Sequence, residues 1–152
     1  MTYDFNNDSE EKTMTYLERT YAGVLAVTIA CFGWYFTDTL ISVDFATAQI
    51  ADFTGRIWTM FGIYIVLVII TAIATHFADI GAEDEFDERD NTIDMISERL
   101  CSYFQAAALL GVLVLTMYEF STFLIVHVVL AAIVMTTLLG LGARLYLYRR
   151  GM

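Results

Sequence analysis

The sequence predicts an all-α protein, an integral membrane four-helix bundle with both termini in the cytoplasm. Three observations lead to this fold class. The 152 residues are 58% hydrophobic, and their mean hydropathy is +0.61. Four apolar runs are each long enough to cross a hydrocarbon core about 30 Å thick. Every basic residue except Arg56 falls on one side of these runs, and the positive-inside rule makes that side cytoplasmic.

A single membrane domain is expected over residues 1–152, in the cell membrane. The predicted spans are residues 19–41, 55–78, 100–118 and 122–143. Residues 42–53 and 118–121 are short enough to be turns outside the cell. Residues 79–99 form a longer cytoplasmic loop, and its second part has apolar residues at helical spacing. We therefore expect the third helix to begin in water near Thr92, with Asn91 as its N-cap.

The charge balance excludes one class of function. The chain has 18 acidic residues against 8 basic ones, and it contains no proline. Nucleic-acid binding needs a basic surface, so we expect no nucleic-acid partner. The composition resembles that of haloarchaeal proteins, whose acidic surfaces serve hydration in high salt, where long-range charge effects are screened.

The central loop is longer than a connection between two helices requires. This length suggests that it binds a cytoplasmic protein partner, for example a regulator held at the membrane. The predicted docking residues are Phe86, Asp87, Glu88, Arg89, Asp90, Ile93 and Ile96. The alternative is that the acidic residues of the loop only hydrate the protein in high salt.

A second group of charged residues lies at the outer ends of the first three spans. Asp38, Arg56 and Glu119 are predicted to form an ion cluster there. Ionisable groups at membrane depth are candidates for function. Because none of the three lies near the middle of the bilayer, an ion cluster that pins the helix ends is the favoured interpretation.

Catalytic chemistry finds no support in the sequence. No nucleophile and base can be paired, and the acidic run at residues 83–90 lacks the spacing of a calcium loop. His76 and His127 are expected about 20 Å apart in depth, too far to share a haem, so hydrogen bonding between helices or placement at the membrane interface is their expected role. We predict a non-enzymatic protein with no catalytic residue, cofactor or metal site.

Two further functions remain open beside the docking module. The first is a small channel or transporter, whose path would use the few polar residues of the spans: Thr28, Thr71, Thr75, Gln105, Thr116, Thr136 and Thr137. The second is an accessory subunit of a larger membrane complex. Small residues at four-residue spacing, Ala132, Thr136 and Gly140, allow close helix packing within the chain or in a homo-oligomer.

One short motif suggests a family. The residues DERD at Asp87–Asp90 are followed by Ile93 and by a helix that enters the membrane through Cys101, Ser102 and Tyr103. This pattern resembles a family of small archaeal and bacterial integral membrane proteins of unknown function, and it covers about a third of the chain. The resemblance implies a four-helix membrane protein and assigns no activity and no site residues.

Overall fold

The computed structural model describes residues 16–43, 47–78 and 88–150, which form four α-helices. These are α1 (Tyr16–Ser42), α2 (Ala51–Ala78), α3 (Glu88–Met117) and α4 (Thr122–Arg150). Each helix is long and apolar enough to cross a membrane, which confirms the predicted all-helical class with four candidate spans. At 1.5 Å per residue the helices are about 40–45 Å long, so they extend beyond a 30 Å hydrocarbon core.

The helices pack in three pairs: α1 with α2, α1 with α4, and α3 with α4. In the α1–α4 pair the helices are antiparallel, because Tyr35 late in α1 contacts His127 early in α4, and Tyr21 lies near Tyr148. The start of α1 and the end of α4 therefore share one end of the molecule, here called the terminal end. The opposite end, which carries residues 47–50 and 118–121, is called the hairpin end.

The middle positions in this arrangement belong to α1 and α4, and the outer positions to α2 and α3. Within the described ranges the backbones of α2 and α3 do not approach each other, so the bundle is open on that side. Large apolar side chains cover both outer helices, for example Ile65 and Leu113. Lipid solvates such side chains as well as another helix does, so no hydrophobic force closes the gap.

Two apolar clusters hold the helices together, and each involves three of them. The cluster nearer the hairpin end joins α1, α2 and α4 through Cys31, Phe32, Tyr35, Met60, Leu130 and Val134. The cluster at the terminal end joins α1, α3 and α4 through Ile93, Leu147 and Tyr148, with Leu17 and Tyr21 packed against them. The helix pair α1–α4 thus contributes to both clusters.

The third helix begins one turn earlier than predicted. It starts at Glu88, so Asn91 lies inside the first turn and is not a cap. The hydroxyl of Thr92 donates a hydrogen bond to the Glu88 carbonyl, 3.1 Å away, as in a helix interior. Glu88 and Asp90 favour this earlier start, because acidic side chains interact well with the positive end of the helix dipole.

A close fit joins α1 to α2 near the terminal end. A methyl group at Gly23 would lie only 2.5 Å from Cγ2 of Thr71. Thr71 is not free to rotate away, because its hydroxyl donates a 2.8 Å hydrogen bond to the Leu67 carbonyl. One turn further towards the terminal end, the hydroxyls of Thr20 and Thr75 are 3.0 Å apart. Glycine at position 23 therefore sets the distance between the two helices.

We expect Gly23→Ala to lower the free energy of unfolding by about 1–3 kcal/mol, because the added methyl group overpacks a tight interface. The measurement is thermal or denaturant unfolding of the purified protein in mild detergent. A double variant, Gly23→Ala with Thr71→Ser, should recover most of the loss. Serine lacks the clashing methyl group and keeps the hydroxyl.

Gly33→Ala is the matched control on the same helix, since nothing lies within 4 Å of a methyl group at that position. Its stability should be unchanged or slightly higher, because alanine favours the helix more than glycine. Equal effects of the two single alanine variants would contradict the close fit at Gly23.

Candidate functional site

Polar contacts between α3 and α4 dominate the terminal end. Asp90, Asp94 and Glu98 are spaced four residues apart, so they share one face of α3. The hydroxyl of Tyr148 donates a 2.6 Å hydrogen bond to Asp90, and Nε of Arg144 donates a 2.7 Å hydrogen bond to Asp94. Nη2 of Arg144 lies 3.9 Å from the Glu98 carboxylate. These five residues, here called the polar ladder, align α3 with the antiparallel α4.

Aromatic and cationic contacts extend the polar ladder to a third helix. The guanidinium carbon of Arg144 lies 5.4 Å from the ring centroid of Tyr21 on α1. Arg89 donates a 3.2 Å hydrogen bond to the carbonyl of Tyr148, and its guanidinium carbon lies 5.9 Å from the Tyr148 ring. At these distances a guanidinium group is attracted to an aromatic ring. The ladder therefore ties α1, α3 and α4 together.

Two buried polar atoms lie close to this ladder in sequence. The hydroxyl of Ser97 is fully buried and has no hydrogen-bond partner among the described residues, and the same is true of Nε of Arg89. An unsatisfied buried group typically costs about 1–3 kcal/mol. No group of three or more His, Cys, Asp or Glu side chains within residues 16–43, 47–78 and 88–150 is placed to hold a metal ion.

Three of the predicted docking residues face the interior of the protein. Ile93 is 1% exposed and packs in the terminal cluster. Arg89 and Asp90 are partly buried and bind Tyr148, as described above. Phe86 and Asp87 lie outside the described residues. A partner could therefore not contact Ile93 without disturbing the packing of α3 on α4.

Glu88 and Ile96, the other two predicted docking residues, are exposed. Ile96 belongs to a line of residues on the side of α3 that faces away from α4, here called the α3 stripe. The α3 stripe consists of Thr92, Met95, Ile96, Arg99, Leu100 and Tyr103, which border a shallow groove of about 460 Å³. Met95 is 56% exposed and Ile96 is 45% exposed. The sequence predicts Ile96 and Ile93 on one surface. In the structure, Ile93 packs against α4, whereas Ile96 is exposed.

The predicted outer cluster is only partly assembled. Nη1 of Arg56 lies 3.0 Å from the Asp38 carboxylate, and both side chains are about half exposed. A pair in this setting contributes about 0–1 kcal/mol. Glu119 makes no ion pair with any described residue.

The backbone conformation of Glu119 ends α3. Its φ angle is +56°, a left-handed conformation that non-glycine residues rarely adopt. The amide of Glu119 donates to the Thr116 carbonyl at 3.1 Å, and the amide of Phe120 donates to the Leu115 carbonyl at 3.2 Å. This is the Schellman pattern that ends a helix. Ser121 then caps α4, because its hydroxyl accepts a 3.3 Å hydrogen bond from the Leu124 amide.

His127 forms the hydrogen bond between helices that the sequence predicted. Its Nε2 lies 2.9 Å from the hydroxyl of Tyr35, a residue that is 3% exposed. Its Nδ1 lies 2.8 Å from the carbonyl of Phe123. A neutral ring with its proton on Nδ1 satisfies both contacts, donating to Phe123 and accepting from Tyr35. The role of this histidine is to hold α4 against α1.

The polar residues considered for a solute path do not line one common path. Thr71 and Thr75 lie at the α1–α2 contact, and Thr28 lies 3.3 Å from the Tyr64 hydroxyl across that same contact. Gln105 and Thr137, in contrast, border two adjoining cavities between α3 and α4. Thr136 borders both cavities as well, whereas Thr116 borders neither of them.

The role of Arg144, Tyr148 and Tyr21 was missed at the sequence level. A signal for it was present, because Asp90 and Asp94 are four residues apart on one helix, and Arg144 and Tyr148 are four apart on the next. Antiparallel helices joined by a short turn present such pairs to each other in register. On sequence alone, the terminal arginines indicate only which side of the membrane they occupy. Their pairing with the carboxylates depends on how α4 packs against α3.

Comparison of this chain with known protein families, with curated proteins and with solved structures found no match. The family resemblance of the motif at residues 87–90 therefore stays a prediction.

We expect Asp94→Asn to lower the free energy of unfolding by about 1–3 kcal/mol, because it weakens a charged hydrogen bond to a largely buried guanidinium group. Glu98→Gln is the matched control on the same face of α3. Its carboxylate is 73% exposed and lies 3.9 Å from Arg144. The control should change stability by less than about 0.5 kcal/mol. Unfolding in detergent measures both, and equal losses would refute the distinction between the two carboxylates.

Proposed function

We propose that this chain is a non-enzymatic, multi-pass protein of the cell membrane that binds a protein partner at its cytoplasmic surface. In this proposal the terminal end faces the cytoplasm, and the binding surface is the part of the α3 stripe that precedes the predicted span: Thr92, Met95, Ile96 and Arg99. The observation that carries the proposal is the exposure of Met95 and Ile96 in a part of α3 that precedes the predicted membrane span. The partner is a protein and not a small-molecule substrate.

The distribution of cations supports this orientation. Six arginines of the described ranges lie at the terminal end: Arg19, Arg89, Arg99, Arg144, Arg149 and Arg150. Within the same ranges the hairpin end has only Arg56. Loops and helix ends rich in arginine are retained in the cytoplasm during insertion.

The length of α3 supports the docking surface. The helix has 30 residues, and twelve of them, from Glu88 to Arg99, precede the predicted span at residues 100–118. These three turns extend about 18 Å beyond the hydrocarbon core. Lipid chains would not cover Met95 and Ile96 at this height. Exposed apolar side chains in water are typical of a protein-binding surface when they occur as a contiguous patch.

The net charge of the segment that contains the stripe suggests the partner's chemistry. In sequence, residues 79–99 include nine carboxylates and two arginines, Arg89 and Arg99. Asp90 and Asp94 bind residues of α4, and the other seven carboxylates still outnumber the arginines. We therefore propose a partner surface with an apolar patch flanked by basic residues. The alternative, that these carboxylates only hydrate the protein in high salt, requires no particular arrangement of Met95 and Ile96.

A second candidate function is a small channel or transporter. The supporting observation is that Gln105, Thr136 and Thr137 border the same space between α3 and α4. This space is open to the side in a single chain, because α2 does not line it. A second copy would have to complete such a path. An accessory subunit would instead use the exposed sides of α2 and α3 against other subunits of a complex.

We expect Glu88→Cys to be protected, and Thr47→Cys and Phe120→Cys to react, when intact cells are treated with an impermeant maleimide. Each cysteine is introduced after the native Cys31 and Cys101 have been replaced. Positions 47, 88 and 120 are all exposed, so burial does not decide the result. Labelling of position 88 from outside would overturn the proposed orientation.

We expect a photoreactive amino acid at position 96 to crosslink a cytoplasmic protein in native membranes. The matched control is position 91, which is also exposed and lies on α3 less than two turns away but outside the stripe. Ile96→Ser should abolish co-purification of the same protein, because it removes an apolar contact from the centre of the surface.

A stability measurement accompanies this experiment. Ile96→Ser should leave unfolding in detergent unchanged, whereas Ile93→Ser should destabilise the chain, since Ile93 is buried in the terminal cluster. Absence of any crosslinked protein at position 96, or equal crosslinking at position 91, would leave the loop as a hydrated linker and end the docking proposal.

A further inference from the structure

A groove runs along the α3–α4 contact from the terminal end towards the middle of the membrane. Its outer part is a cavity of about 430 Å³ bordered by polar residues, including Glu98, Ser102, Gln105 and Arg144. Its inner part is a cavity of about 230 Å³ bordered mainly by apolar residues, including Leu109, Val112 and Ile133. Gln105, Thr136 and Thr137 border both parts, so the two cavities adjoin.

Gln105 is the polar group of this groove that most needs an external partner. Its side chain is exposed and makes no hydrogen bond with any described residue. The predicted span begins at Leu100, so Gln105 lies about 8 Å below the edge of the hydrocarbon core. An amide without hydrogen bonds costs several kcal/mol in hydrocarbon. Helix side chains tilt towards the N-terminus, which directs this amide back towards the membrane surface.

Groups at the mouth of the groove lie at the height of lipid headgroups. Arg144 follows the predicted end of the fourth span by one residue, and Glu98 precedes the third span by two. Arg144 uses Nε to bind Asp94, and its Nη1 forms no hydrogen bond with a described residue. Glu98 is 73% exposed. The mouth thus offers one open guanidinium donor beside one accessible carboxylate.

We propose that this groove binds one phospholipid molecule of the surrounding bilayer. The lipid phosphate accepts hydrogen bonds from Arg144, the glycerol oxygens accept from the Gln105 amide, and an acyl chain lies along Leu109 and Val112. The two carboxylates at the mouth, Asp94 and Glu98, outnumber the single guanidinium group. A headgroup that also carries an ammonium group, which can pair with Glu98, therefore fits better than a net anionic one.

This site is independent of the proposed docking surface, because the groove and the α3 stripe share no residue. It also does not depend on which end of the molecule faces the cytoplasm. The site depends only on the depth of its residues in the bilayer. Loss of lipid binding would leave partner binding intact, and the two failures can be told apart.

Native mass spectrometry of the full chain in mild detergent tests the proposal. The protein is first delipidated and then mixed with phosphatidylethanolamine or phosphatidylglycerol. We expect one retained phosphatidylethanolamine per chain and weaker retention of phosphatidylglycerol. Gln105→Leu should reduce retention about fivefold, the effect of one lost hydrogen bond. Ala108→Phe should reduce it further, because Ala108 borders the inner cavity and a phenyl ring would fill the space of the acyl chain.

Ala106→Phe is the matched control, since Ala106 is exposed on α3 and borders neither cavity. Thr116→Val is the control for removal of a polar group outside the groove. Both should retain lipid like the unchanged chain, and circular dichroism should show full helix content in all variants. Equal retention by every variant would show that the lipid binds the surface of the protein non-specifically, and it would overturn the proposal. A photoreactive residue at position 105 that crosslinks a second copy would overturn it as well.

Discussion

Hydrocarbon solvates leucine and valine side chains as well as a neighbouring helix does, and the architecture of this protein depends on that constraint. Apolar burial alone cannot decide which helices pack together in lipid. The pairing of the helices is determined by polar groups that need hydrogen-bond partners and by close packing between backbones. Here those determinants are few: the hydrogen bond of Tyr35 with His127, the contacts of Arg144 and Tyr148 with the carboxylates of α3, and the fit of Thr71 at Gly23.

These determinants explain the order of the helices. α4 carries His127 near the hairpin end and Arg144 near the terminal end, so it binds α1 at the first height and both α1 and α3 at the second. α2 has its close fit and its threonine contacts only with α1. No comparable group within the described ranges links α2 to α3, and the side between them stays open. The groove between α3 and α4 lies along a contact held mainly at its terminal end.

The number and approximate position of the helices could be predicted from the sequence, because a long apolar run indicates a helix that can cross a membrane; the start of α3 and the end of α4 could not. The pairing of the helices could not, since the spans are apolar on nearly all sides and carry little periodic signal. Some site residues were predictable for the same kind of reason: Asp38 and Arg56 are opposite charges at the same depth, and they do pair. Glu119 was grouped with them by depth, but its left-handed backbone ends a helix instead.

The residues of the proposed docking surface could likewise be predicted only in part from the sequence. An amphipathic pattern identified the start of α3, and it could not say which apolar residues would face α4. Ile93 is buried because Leu147 and Tyr148, which lie 54 and 55 residues further along the chain, pack against it, a contact that no local pattern reveals. Met95 and Ile96 are exposed because nothing from the described residues covers that side.

The central place of α4 has a consequence for biosynthesis. A membrane chain is inserted helix by helix, and α4 is the last of the four helices to be synthesised. Until it arrives, the face of α1 that carries Tyr21 and Tyr35 lacks its α4 partners. The carboxylates Asp90 and Asp94 likewise wait without their arginine and tyrosine partners. The two hairpins therefore meet only when synthesis of α4 is complete.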